Sequence, residues 1–452
     1  MGTSMAHVGS AGRSRARTAA VCLLLTLSCS LLFVRPAAAD LRVSRGYQVD
    51  AAHSGRLWGA GVLPPLRYAW TAPVTPTSYS IVYPAVEGSL AFLVDKKLDV
   101  LRAVSLANGH TVWQQQLHFS SPTTGNGPYL AADSGRVFVT SDAVGRNSTV
   151  NTLVQAFSAT TGAPLWSAYP VGDTPQAPIV SGGVLYLDTT DTGGNRAAIR
   201  ETDGTVLWDV NNANGANPND TYNGGFVTLT SAGLVGYDPC GGGVGSAMVT
   251  GRTIWNDVGT CEGPAGLLGV SAGAYTWFGD PDSAVLGDPP SAGNVAIDPA
   301  TGRVVGSFPI GTSPVFADGI AFQDREVVLS RTWQGVTIGN DLAAFDPATG
   351  KTLWKYTGLG GSHDIATLPL AADGYIFAAA TNGTAWAFNP QTGSIAWTWR
   401  PTTTLSVYPQ TGLVAGGGYL LLLAHTGLIA FHGSGSPAGS APASWSAPPP
   451  AP

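Results

Sequence analysis

Charge is scarce in this chain. Only 11% of its 452 residues are Asp, Glu, Lys or Arg, and no Lys/Arg cluster makes a basic patch, so no nucleic-acid partner is expected. Cysteine is scarce as well. Two of the four, Cys22 and Cys29, fall in an apolar N-terminal run, which leaves Cys240 and Cys261, and no two cysteines are adjacent. Beyond that run no helical 3.6-residue period appears, which argues against a helical bundle. No later stretch of 18 apolar residues occurs either, so no transmembrane helix is expected after residue 39. What is abundant is glycine, 59 residues. Glycine weakens helices and serves tight turns, so the composition points to an all-β protein.

Residues 1–39 read as a secretory signal peptide. Arg13, Arg15 and Arg17 precede an apolar run over residues 19–34, and Ala37 and Ala39 offer a small-residue cleavage site before Asp40. An uncleaved membrane anchor is the alternative. Thr26 stands where lipoprotein signals usually carry Leu before the cysteine, so lipidation is not expected. Cleavage leaves 18 Lys+Arg against 28 Asp+Glu, a formal charge of −10, which favours solubility. An extracytoplasmic location, secreted or at the cell envelope, follows. Residues 433–452 are rich in Gly, Ser, Pro and Ala without apolar periodicity, and read as a disordered tail.

Between these ends one phrase recurs. "AFDPATGKTLW" covers residues 344–354 and "AFNPQTGSIAW" covers 387–397. A glycine followed four places later by tryptophan occurs at Gly109/Trp113, Gly162/Trp166, Gly204/Trp208, Gly251/Trp255, Gly350/Trp354 and Gly393/Trp397; a seventh copy has Gly302 in frame but Gly306 in place of Trp. Successive turn glycines lie 53, 42, 47, 51, 48 and 43 residues apart, the length of a four-stranded propeller blade. Asp or Asn and Thr bond the local backbone of the turn, and glycine accepts positive φ there. The last unit stops at "GLIAFH" without its fourth strand, and "PLRYAW" at residues 65–70 is a fourth strand without inner strands. The split predicts an eight-bladed β-propeller over residues 65–432, closed by the N-terminal outer strand. Residues 40–64 lead into it.

These motifs resemble the pyrroloquinoline-quinone-like (PQQ-like) β-propellers, a group that holds both quinoprotein alcohol dehydrogenases and non-catalytic BamB-like assembly factors. "YQVDAAHSGR" at residues 47–56 is similar to the N-terminal segment of secreted members. The resemblance implies blade-docking roles for Trp70, Trp113, Trp166, Trp208, Trp255, Trp354 and Trp397. Gly306 breaks the pattern, so the fifth unit is expected to pack differently, through Phe308. In the quinoproteins the cofactor lies between a tryptophan and, in many members, a disulfide of adjacent cysteines, with calcium held by Glu, Asn and Asp. The adjacent cysteines are missing here and the chain is shorter, so no cofactor and no catalytic residue is expected. A PQQ- and calcium-dependent oxidoreductase and a small-ligand sensor remain the alternatives.

Other motifs are weak. Ser362, His363 and Asp364 hold triad residue types, but adjacency in sequence is not triad geometry. "GGGVG" at 241–245 reads as a flexible connection, and Asp280, Asp282 and Asp288 as an acidic loop without the spacing of a calcium loop. Strand alternation puts four long insertions, at 141–151, 209–225, 279–294 and 324–341, on one face of the ring. Function tends to sit on loops carried by a rigid scaffold, so Asp324, Arg325, Arg331 and Trp333 are the candidate partner-binding residues. Cys240 and Cys261 fall on that face too, and a disulfide is expected in an exported protein. The expectation is a monomeric protein-binding scaffold.

Overall fold

The computed structural model describes residues 43–75, 83–95, 97–117, 128–144, 150–170, 177–189, 195–210, 227–238, 242–256, 270–272, 275–278, 294–308, 315–317, 320–323, 326–327, 338–339, 342–345, 351–356, 365–403, 405–407 and 411–435. Every regular element among them is a β-strand. Among the described residues, eight sheets, each with four antiparallel strands, follow one another along the chain; two of them gain a fifth, parallel strand, Arg56–Leu57 and Thr367–Leu368. The first is made of Ala85–Glu87, Leu90–Asp95, Val100–Ser105 and Thr111–Gln116, and the second runs from Tyr129–Asp133 to Pro164–Ala168. The third spans Ile179–Ser181 to Val206–Val210, the fourth Thr228–Leu229 to Thr253–Asn256, and the fifth Val270–Ala272 to Val304–Phe308. The sixth spans Val315–Ala317 to Thr352–Tyr356, and the seventh Leu370–Ala372 to Ile395–Trp399. The eighth takes three strands from Thr411–Gly416 to Gly427–His432 and its fourth, Arg67–Pro73, from the other end of the chain.

Each third-to-fourth hairpin carries a bulge at the same place, and the residue opposite the bulge is always small. Ala430 faces Trp70, Ala103 faces Trp113, Ala156 faces Trp166 and Ala198 faces Trp208. Gly245 faces Trp255, Ala344 faces Trp354 and Ala387 faces Trp397. The small residue leaves room for the indole, and a Cβ added at Gly245 would run into the Trp255 ring. The indole then leans onto the next sheet's turn. Trp70 packs on Gly109, Trp113 on Gly162, Trp166 on Gly204, Trp208 on Gly251, Trp255 on Gly302 and Trp354 on Gly393. These glycines have φ between 67° and 74°, so they are required twice over: for the left-handed turn and for the close approach of the ring.

Each indole N–H also donates to a carbonyl of the next sheet. Trp70 reaches Leu106 at 2.7 Å, Trp113 reaches Ala159 at 2.9 Å, Trp166 reaches Glu201 at 2.9 Å and Trp208 reaches Met248 at 2.8 Å. Trp255 reaches Pro299 at 2.7 Å and Trp354 reaches Pro390 at 2.8 Å. Trp397 reaches back to Leu66 at 2.8 Å, just ahead of the N-terminal outer strand. The buried apolar residues follow the same order. Separate clusters join sheets one and two, two and three, three and four, four and five, six and seven, seven and eight, and eight and one. Gly306 keeps the main-chain pairing of its sheet, facing Ala296 beside the same bulge.

Two sequence expectations fail at the level of elements. Residues 141–144 and 150–151 of the expected 141–151 loop are strand: Arg136–Val144 and Val150–Ser158 pair up to Val144 opposite Val150, and residues 145–149 lie outside the described residues. Their Asn, Ser and Gly content suggests a loop, but main-chain ladder bonds form whatever the side chains. Likewise Gly242–Ser246 is the third strand of sheet four, not a flexible connection, and its Gly245 is the small residue that Trp255 needs.

Candidate functional site

The described sheets present two ends. At one, the first strands begin and the long insertions emerge. Here the hairpin of sheet two runs to nine residues per strand against six in sheet three, and so projects about 10 Å further at ~3.3 Å per residue. Within the 324–341 insertion, Glu326–Val327 pairs with Ile338–Gly339. Asp324, Arg325, Arg331 and Trp333 lie outside the described residues, as do Cys240, Cys261, Ser362, His363, Asp364, Asp280, Asp282 and Asp288.

At the other end, where first strands turn into second strands, the structure places something the sequence did not disclose. The N-terminal segment crosses the first strands one after another. Ser44 N–H donates to Ala415 and its carbonyl accepts from Val86; the Arg45 carbonyl accepts from Ala132, and the Ala51 carbonyl from Leu229. Arg56–Leu57 then adds a parallel strand to Leu370–Ala372. The Ala60 carbonyl accepts from Gly418, and Val62 bridges to Gly435. The segment thus touches sheets eight, one, two, four, seven and eight again. Val49, His53, Leu57 and Val62 are buried beneath it.

Polar side chains fasten this segment. The Asp373 carboxylate, in the first turn of sheet seven, accepts four consecutive main-chain N–H groups: Gly59 at 2.5 Å, Ala60 at 3.2 Å, and Gly61 and Val62 at 2.8 Å each. Asp50 folds the segment on itself, accepting from the Ala52 and Ser54 N–H groups at 3.0 Å and from the Ser54 hydroxyl at 2.6 Å. His53 Nδ1 lies 3.2 Å from the Thr228 hydroxyl. Burial pulls the Arg56 guanidinium below its ordinary value, with Asp50 opposing. Arg45 pairs with Asp133 at the end of the first strand of sheet two. Near them Glu87 is raised, mainly by burial, and Glu201 is raised to about 7 by burial first and then by the Asp133 charge.

This arrangement anchors main chain. No group of three or more His, Cys, Asp or Glu side chains is placed to hold a metal ion among the described residues, and no described helix is long and apolar enough to cross a membrane. The sequence did carry one signal for the docking geometry: the alanine that opens "AFDPATGKTLW" is Ala344, the residue facing Trp354.

Known proteins share this construction. A quinohemoprotein alcohol dehydrogenase from Pseudomonas putida HK5 superposes with a TM-score of 0.64 at 12% identity, covering 89% of this chain and 82% of that one. BamB from Moraxella catarrhalis superposes with a TM-score of 0.54 at 14% identity, covering 81% and 99%. At such identities these likenesses show the fold alone. In sequence, the chain is 27% identical over 142 residues to the outer membrane protein assembly factor BamB of Yersinia pestis. That match takes in 29% of this chain and spans only 33% of the relative's length. A family model described as outer membrane protein assembly factor BamB matches residues 96–263 and 291–440, well over half of the chain, and the protein therefore belongs to this family of PQQ-like propeller repeats.

Proposed function

We propose that the eight sheets are the blades of one closed propeller, and that this exported protein works without catalysis as a protein-binding or assembly scaffold at the cell envelope. The observation that carries the reading is how the repeat's own chemistry is used. The seven described repeat tryptophans give their indole N–H groups to the next sheet, and six of them give their rings to its turn glycine. The N-terminal segment's path over successive first strands, and the return of Trp397 to Leu66, support closure of the ring. Family membership and the role that names the Yersinia pestis relative support a part in outer-membrane protein assembly, with a protein partner. Residues 1–39 act as the export signal in this reading, and Cys240 and Cys261 form a disulfide on the loop-rich face.

In this reading the protein works without pyrroloquinoline quinone, and three observations support that. The chain has no adjacent cysteines to sandwich it, the described carboxylates form no calcium cluster, and the repeat tryptophans are committed to docking. The proposed binding surface is instead the loop-rich end, including the 324–341 insertion. The test adds the quinone and calcium to purified protein and follows dye reduction over a panel of alcohols and sugars. No turnover, together with partner capture that weakens when 324–341 is replaced, supports the scaffold. Turnover that chelation abolishes overturns it.

A further inference from the structure

Seven junctions between successive sheets are fastened by the same device: a repeat tryptophan whose indole N–H donates to a carbonyl of the sheet that follows. In the closed ring proposed above, one junction is left, from sheet five to sheet six. The outer strand of sheet five, Val304–Phe308, carries Gly306 where the indole belongs. The main chain there keeps the form of the other sheets. Gly306 faces Ala296 beside the bulge, as Trp113 faces Ala103 and Trp354 faces Ala344. Yet Gly306 has no side chain to lay on its neighbour, and Phe308, paired with Asn294, has no side-chain N–H to donate.

The N-terminal segment passes over the same place without bonding to it. Its Ala51 carbonyl accepts from Leu229 in the first strand of sheet four, and its Gly55 carbonyl accepts from Ala371 in that of sheet seven. Among the described residues, no main-chain bond from the segment reaches Val270–Ala272 or Val315–Ala317, the first strands of sheets five and six. Trp58 packs on the cluster that joins sheets six and seven, one junction further on.

In a repeat protein each unit touches only its neighbours, and stability is close to a sum of unit and junction contributions. A junction that lacks both the indole and the main-chain bonds of the strap has the smallest free energy of local opening. We infer that the five–six junction is the hinge of the ring, opening locally while the other seven stay shut. This rests on the closed-ring reading above. Sheets five and six also carry the 279–294 and 324–341 insertions between their second and third strands. The hinge therefore sets how far apart the bases of these two insertions stand, and lets the proposed binding surface adjust its width to a partner.

Hydrogen–deuterium exchange of the purified full chain, read by mass spectrometry, tests the hinge. Amides in Val304–Phe308 and Val315–Ala317 are expected to exchange more than about tenfold faster than those in Pro164–Ala168 and Ile179–Ser181, two strands whose sheets Trp166 joins. Gly306→Trp supplies the missing indole opposite the small Ala296, and is expected to remove most of that difference. A wild-type difference below about tenfold overturns the inference. So does a folded Gly306→Trp chain whose two strands exchange as fast as in the wild type. Should the variant fail to fold, the wild-type contrast alone decides. Exchange in Arg67–Pro73 and Gly427–His432 reads closure of the ring separately, so failure of the closed ring and failure of the hinge are told apart.

Discussion

Asp373 shows how much one residue can hold. Its carboxylate gathers four main-chain N–H groups from residues more than 300 positions away. Asp373→Ala would leave those donors buried without an acceptor, at roughly 1–3 kcal/mol for each group not rescued by water. A loss of at least ~3 kcal/mol in chemical denaturation is expected, and a loss under ~1 kcal/mol would show that the segment is held elsewhere. The docking tryptophans make a second test at this scale. Trp113→Ala removes both the ring from Gly162 and the bond to Ala159, and is expected to cost about 3–5 kcal/mol. Ala103→Leu, opposite the same ring, is expected to destabilise by about 1–3 kcal/mol through overpacking. The role of Asp373 was hidden in the sequence, where "AADGY" reads as an ordinary turn. The docking tryptophans were legible because they recur in frame with a glycine.

At the level of elements, legibility followed repetition. A strand–turn–strand unit written seven times exposes its period and its turn chemistry, and the split last sheet can be deduced from what is missing. The N-terminal segment is written once, has no period, and bonds mainly through its backbone, so no side-chain pattern announces its path. The strand ends at 141–144 and 150–151 were misread for a related reason: their ladder rests on main-chain bonds, which no side-chain pattern announces. Deleting residues 40–72 would remove both this segment and all but the last residue of the outer strand Arg67–Pro73, exposing first-strand ends and one sheet edge together. Such a truncation is expected to melt far below the full chain, whereas deleting residues 436–452 is expected to leave the melting temperature nearly unchanged. Equal melting of the two truncations would remove the case for an N-terminal closing strand. Intact-mass measurement after alkylation tests the Cys240–Cys261 bond, which is expected to show no modified thiol before reduction and two after it.

At the scale of the whole molecule, the two ends of the sheets differ in what they leave free. One end is covered by the chain's own N-terminal segment, whose carbonyls and N–H groups are bonded to the first strands. The other carries the insertions and the projecting hairpin of sheet two. The proposed scaffold would meet its partner at the loop-rich end. The measurement that tests this most directly is site-specific photocrosslinking in the native envelope. One probe replaces Ala143 on the projecting hairpin, a second replaces Trp333 in the 324–341 insertion, and a control replaces the exposed Ala107 in a turn at the opposite end. Discrete protein adducts from positions 143 and 333, with none from position 107, are the predicted result. Adducts from position 107 alone, or from none of the three, would contradict the account.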